Sequence, residues 1–176
     1  GKELDPFLEQ LVGQSPHRIG RVVLAHPPQL DGISSITMAR LTNDEIMLFT
    51  APGEESSLVP ILQERVDVQH GISWVDQTAG YAGFLLAGPR ARDILRKRTS
   101  LPLEEASFPD LSAAQTGFAK TRALLLRHDL ASVPGFEIYI DRSLGEYVWK
   151  TILDAGRTWE MQPAGWDLYT DLRSKM

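Results

Sequence analysis

The chain contains no cysteine. That excludes disulfides, thiolate metal sites and a cysteine nucleophile, and it suits a reducing compartment. No apolar run approaches the roughly 20 residues that a membrane-spanning helix needs. No charged-then-apolar leader opens the sequence, so a cytoplasmic protein with no membrane partner is expected. Neither Gly-x-Gly-x-x-Gly nor a P-loop occurs, which argues against a nucleotide fold, and there is no Gly-x-Ser-x-Gly elbow. His17, His26, His70 and His128 lack metal-binding spacing such as His-x-x-x-His. No metal site is therefore expected, and each histidine reads as a surface or packed residue. Positive charge is in deficit: 18 Lys and Arg against 23 Asp and Glu give a net charge of −5. Nucleic acid is therefore not expected as a partner.

What is present is ordinary for a globular protein: 176 residues, 43% hydrophobic and 23% charged. Such a length buries a normal core without staples and predicts one domain, residues 1–176. One basic cluster stands out, Arg90, Arg92, Arg96, Lys97 and Arg98. It reads either as a solvated helix face or as a site for a phosphate or a polyglutamate tail. The adjacent acidic pairs Asp44-Glu45, Glu54-Glu55 and Glu104-Glu105 point their side chains apart on any regular element. Solvation or helix N-terminal charge is their expected role.

Periodicity organises the chain. Leu4, Phe7, Leu8 and Leu11 predict a short amphipathic helix that ends at Gly13. Strands are predicted at Arg21 to Ala25, Ile33 to Arg40, Glu45 to Thr50, Ile72 to Val75 and Tyr81 to Ala87. Helices are predicted from Glu55 to Glu64 and from Arg90 to Arg98, with a loop at Thr99 to Ser112. Strands return at Thr116 to Ala119, Arg122 to His128 and Phe136 to Ile140. Asp141 or Ser143 caps a helix running to about Leu153, and Gly156 stops it. A last strand at Arg157 to Met161 and a short helix from Ala164 complete the prediction. Hairpin-plus-helix order occurs twice, at residues 36–64 and 123–153. This predicts an α+β fold with largely antiparallel sheets, two duplicated halves (about 1–88 and 89–176) and one shared core.

Three stretches resemble the folate-binding aminomethyltransferase superfamily. The first runs from Val75-Asp76-Gln77-Thr78 through Tyr81–Ala87 and Gly88-Pro89 into Arg90–Leu95. The second is Gly135-Phe136-Glu137-Ile138-Tyr139-Ile140, followed by Tyr147 and Trp149. The third is Pro163-Ala164-Gly165-Trp166 with Leu172-Arg173. The family includes the glycine-cleavage T-protein. The middle of this chain, with Phe108-Pro109, Gln115-Thr116, Leu126-Arg127 and Arg142-Ser143, is most similar to the small gamma subunit of heterotetrameric sarcosine oxidase. The resemblance covers about Phe7 to Arg173 and corresponds to only the middle of a full T-protein.

The resemblance implies tetrahydrofolate as the cofactor and Glu137, Ser35, Arg173, Tyr169 and Leu130 as the positions facing it. Glu137 matches the family carboxylate that reaches the pterin edge; as a residue by itself it reads equally as a strand-end carboxylate in a surface hydrogen bond. Ser34 and Ser35 stand where the family has carboxylates, and a hydroxyl holds no negative charge beside a developing iminium. Leu130 stands where the family has a stacking Tyr, and Tyr169 where it has an Arg, whereas Arg173 is kept. A third branch uses a Lys-Gly-Cys-Tyr motif, which a chain without cysteine lacks. No catalytic residue is therefore assigned. The expectation is a folate-binding-domain-like subunit of an amine-oxidising or one-carbon complex, not catalytic by itself. Its expected partners are flavin amine oxidase-type subunits or further copies of itself. The alternatives are a stand-alone tetrahydrofolate-dependent aminomethyltransferase and a scaffold of this fold that binds no folate.

Overall fold

The computed structural model describes residues 3–66, 71–130, 133–165 and 167. It forms two compact units, Gly1–Ala79 and Gly80–Met176. The fold is α+β, with helices and two wholly antiparallel sheets.

In the first unit, α1 (Leu4–Val12) buries Leu8, Leu11 and Val12. It ends at Gly13, whose φ of 86° places the left-handed residue after the last turn. Strands β1 (Val22–Ala25), β2 (Ile36–Arg40) and β3 (Ile46–Thr50) pair in the order β1-β2-β3. Helix α2 (Glu55–Arg65) follows and buries Leu58 and Leu62. Ile36 and Met38, alternate residues of the central strand, join these helix residues in one core. Beneath α1, buried Arg40 donates from Nη2 to Asp5, from Nη1 to Asn43 O at 2.8 Å and from Nε to Pro16 O. Burial pushes the Asp5 carboxyl up, but the hydrogen bonds from Ser15 and Arg40 and the charges of Arg40 and His17 outweigh it. The carboxyl is held below the usual carboxylate range.

The second unit begins with β4 (Tyr81–Ala87) and continues with α3 (Ala91–Arg96), β5 (Ser112–Phe118), β6 (Thr121–Arg127), β7 (Gly135–Asp141) and α4 (Gly145–Gly156). The sheet order is β4-β7-β6-β5. Thus β4, which chain order assigns to the first expected half, is hydrogen-bonded into the second unit. Phe84, Leu86, Phe118, Ala123, Leu125, Phe136, Ile138 and Ile140 line one face of this sheet and pack with α3 and α4 into a second core. The β5–β6 turn is Ala119-Lys120, both left-handed, at φ 50° and 66°. This is the geometry of a two-residue hairpin turn built without glycine or asparagine. The basic cluster is used within the unit. Arg92 and Arg96 pair with Glu105 and Glu104, and Arg90 with Asp93. Lys97 donates to the Ala155 carbonyl at the end of α4, and Arg98 to the Thr151 carbonyl and the Asp154 carboxylate of the same helix.

Several expectations need correcting. Residues 72–77 form no strand: Ile72 and Trp74 alternate with exposed neighbours, but no paired strand supports them among the described residues. Residues 157–161 form a 3₁₀ turn, Arg157–Trp159, closed by left-handed Glu160, because Trp159 and Met161 fold back onto the second core. Gly156 has an ordinary helical φ, so it is not a left-handed stop. A methyl group there would lie only 2.7 Å from Met161 Cε. Asp141 accepts from Ser143 N at 2.8 Å and caps the 3₁₀ turn Arg142–Leu144 that leads into α4. The short helix expected from Ala164 falls mainly on residues outside the described ones.

Candidate functional site

The face of the second sheet opposite α3 and α4 owes its character to strand alternation. Phe136, Ile138 and Ile140 point into the core, so Glu137 and Tyr139 point the other way. Across the ladder, Glu137 pairs with Leu126 of β6 and Leu85 of β4, and Tyr139 with Leu124 and Gly83. The Tyr139 ring lies over Gly83, where a methyl group would stand 3.0 Å from Cε1. Its hydroxyl donates to Glu137 Oε2 at 2.6 Å.

His128 follows β6 on the same face. Its backbone N–H donates to Gly135 O at 2.9 Å. Gly135 has no alternative here, since a methyl group would overlap the His128 carbonyl oxygen well inside 3.0 Å. The imidazole is 4% exposed, and its Nδ1 lies 3.9 Å from Oε1 of Glu137, itself 12% exposed. Nε2 is buried and has no hydrogen-bond partner. Leaving such a group unpaired costs about 1–3 kcal/mol.

The loop carrying His128 is fixed from below by Arg127, 3% exposed. Its guanidinium donates to Asp129 at 3.0 and 2.7 Å, to Phe108 O at 2.7 Å and to Glu105 at 2.7 Å. The hydrogen bond to Asp129, opposed by burial and reinforced by Glu105, holds the guanidinium above its ordinary pKa. Asp129 in turn accepts from Gly135 N at 3.3 Å, and its own N–H donates to Asp110 at 2.9 Å.

Of the residues expected at the site, Glu137 occupies this cluster. Leu130 sits in the same loop as an apolar plug: it is 1% exposed, bonded through both backbone groups to Val133, and packed against Gly135. Ser35 belongs to the first unit, buried just before β2. Tyr169 and Arg173 lie outside the described residues. Sequence reasoning passed over three groups. The sequence reads His128 as a surface or packed residue, although its place one residue past β6 sets it across from Gly135. Tyr139 was available from the alternation with Glu137. Glu54 was dismissed as half of an acidic pair, yet its Oε1 accepts from Ser34 N at 3.1 Å, and its Oε2 is buried with no partner. It supplies a carboxylate beside Ser34-Ser35, where the sequence has none.

Among the described residues, no group of three or more His, Asp or Glu side chains could hold a metal ion. No helix among them is long and apolar enough to cross a membrane. An open depression of about 760 Å³ lies along the C-terminal half of α4, lined by Lys150, Asp154, Arg157 and Glu160 among others. It is on the helix-covered side and mixes charges without convergence, so the buried polar cluster is the stronger candidate site.

The family model described as the GCVT N-terminal domain matches residues 1–176. The aminomethyltransferase of Oceanobacillus iheyensis is 30% identical over 124 residues, covering 69% of this chain and 33% of that protein. The chain spans about a third of the length of the first curated relatives it matches. Among solved structures, a chain of the heterotetrameric sarcosine oxidase from Corynebacterium sp. U-96, in complex with pyrrole 2-carboxylate, superposes with a TM-score of 0.66. The identity is 22%, over 92% of this chain and 76% of that one. The glycine cleavage system aminomethyltransferase T from Bartonella henselae superposes with a TM-score of 0.70 at 17% identity, over 96% of this chain and 45% of that one. At these identities the superpositions establish a shared fold.

Proposed function

The chain belongs to the GCVT N-terminal domain family of aminomethyltransferases, and from that premise we propose that it is a folate-binding-domain-like subunit of an amine-oxidising or one-carbon complex, not catalytic by itself. The observation that carries the reading is a retained carboxylate, Glu137, in a built polar cluster, set against hydroxyls at Ser34 and Ser35 where the resemblance calls for carboxylates. The two hairpin-plus-helix segments, β2-β3-α2 and β6-β7-α4, belong to this reading as halves of an internal duplication within one functional module.

The residues of the cluster fit tetrahydrofolate. A largely buried carboxylate complements paired N–H donors on an amino-pyrimidine edge, and the unpaired His128 Nε2 is a polar atom that a ligand would satisfy. Tetrahydrofolate, when bound, supplies the amines that accept a one-carbon unit. Glu137 orients it, Tyr139 holds Glu137, and Leu130 excludes water from the loop beneath. Ser35, Tyr169 and Arg173 remain proposed contacts. The proposed partners are flavin amine oxidase-type subunits or a second copy of the chain, and the proposed setting is the cytoplasm.

One observation favours a second reading. The buried, unpartnered Oε2 of Glu54 beside Ser34 places a carboxyl group there from a different chain position, the group type that a tetrahydrofolate-dependent aminomethyltransferase would need. Calorimetry with tetrahydrofolate, paired with an assay of one-carbon transfer, separates the two. Binding without turnover is expected. Glu137→Ala should weaken binding by about ten- to a hundredfold, the loss of a hydrogen bond to a charged group worth roughly 1.5–3 kcal/mol. Turnover abolished by Glu54→Gln would establish the second reading, and no binding at all would remove folate from both.

A further inference from the structure

We infer that His128 is a specificity-determining contact of the Glu137 site, its Nε2 forming a hydrogen bond to a planar N-heterocycle that carries N–H donors. The inference rests on the folate-site reading and adds a residue that the resemblance does not assign.

The ring is out of place on stability grounds. Its neighbours on the same sheet face, Leu124 and Leu126, are apolar and buried. A leucine at 128 would continue that surface without stranding a polar atom. The backbone does not require histidine either, since its N–H is satisfied by Gly135 O at 2.9 Å. Buried polar groups in folded proteins are nearly always paired, and an exception calls for a physical account, of which a bound ligand is one. The ring is 4% exposed, so bulk solvent does not serve Nε2.

The surroundings also fix which ligand chemistry fits. Nδ1 faces Glu137 Oε1 at 3.9 Å, a separation at which the carboxylate favours a proton on Nδ1. In the neutral imidazole, that tautomer leaves Nε2 as an acceptor. A carboxylate on β7 and an acceptor nitrogen at the end of β6 then lie on one sheet face. Such a pair selects a ring bearing amino or N–H groups, and it disfavours an isostere with oxygens in their place, which would set acceptor against acceptor.

The test uses tetrahydrofolate as the probe and the full chain. In ¹⁵N spectra of wild-type protein, the His128 Nε2 resonance should shift on saturation with tetrahydrofolate. His128→Leu should keep or raise the melting temperature while weakening tetrahydrofolate by about tenfold or more. His128→Gln, which restores a polar group near the Nε2 position, should recover part of the loss. If wild type and His128→Leu bind equally while Glu137→Ala does not bind, the inference is wrong and the folate reading stands. An Nε2 resonance unmoved at saturation also overturns the inference, whatever the stability of the variants. A wild-type chain that binds no tetrahydrofolate overturns both.

Discussion

Three glycines on the second sheet form a graded test of how tightly the site is built. A methyl group at Gly117, on edge strand β5, meets nothing within 4 Å. At Gly83 it meets the Tyr139 ring at 3.0 Å, and at Gly135 it overlaps the His128 carbonyl oxygen. None of the three has a left-handed φ, so alanine is free of backbone strain at each and sterics alone decide. Gly117→Ala should stabilise by about 0.4–1 kcal/mol, because the unfolded chain loses freedom and the folded chain loses nothing. Gly83→Ala should cost about 1 kcal/mol, since a ring can tilt by a few tenths of an ångström, as in mild overpacking. Gly135→Ala cannot be relieved by a side chain. Separating the strands there breaks the His128 N–H to Gly135 O bond and the Gly135 N–H to Asp129 bond. Two buried bonds at about 1 kcal/mol each, plus about 1–3 kcal/mol for stranded groups, give roughly 3–5 kcal/mol before the small entropic gain is subtracted. Urea titrations at constant m-value would measure all three. A Gly135→Ala protein as stable as Gly117→Ala would refute the packing argument and, with it, the rigid placement of His128 against Glu137.

Three further outcomes are expected. Arg127→Leu should lower unfolding stability by about 2–3 kcal/mol: a 3%-exposed guanidinium leaves Asp129 and Phe108 O behind, although Glu105 is too exposed to add much. A loss below 1 kcal/mol in denaturant titration would contradict the anchoring role. Lys120→Gly should raise the melting temperature by relieving a left-handed residue that costs roughly 1–2 kcal/mol, less the entropy of the added glycine. In acid, the Asp5 carboxyl is depressed in the fold, so its contribution is complete above the unfolded value near pH 4 and disappears as pH falls through the lower folded value. The stability difference between wild type and Asp5→Asn should therefore shrink steadily below about pH 4; a constant difference down to pH 2 would show that the Asp5–Arg40 pairing contributes nothing.

Elements with a self-contained signal were legible in the sequence. The 36–40 and 46–50 hairpin, β7 and the helices at 55–65 and 145–156 follow from alternation, turn residues and caps. Signals that need a partner misled. Ile72 to Val75 alternates like a strand, yet among the described residues no neighbouring strand satisfies its backbone. The Ala119-Lys120 turn carries no glycine or asparagine, so the sequence extends the first strand into Ala119 and starts the second one residue late. In the second unit Glu137 was legible, because it lies in the Gly-Phe-Glu-Ile-Tyr stretch. His128 and Glu54 were not: each is defined by an atom left without a partner, and a linear sequence does not record which atoms meet.

The seat of Tyr139 over Gly83 bears on the order in which the protein is made. The β5–β6 hairpin closes across two residues, and β7 follows β6 through one short loop. Strand β4 leaves the sequence at Ala87 and, among the described residues, pairs with 135–141. Loop-closure entropy delays such a pairing until β7 is already in place. Gly83 therefore arrives last. The polar cluster acquires its final geometry only when the longest-range pairing of the sheet is complete, so a nascent or truncated chain would display a formed hairpin without a formed site.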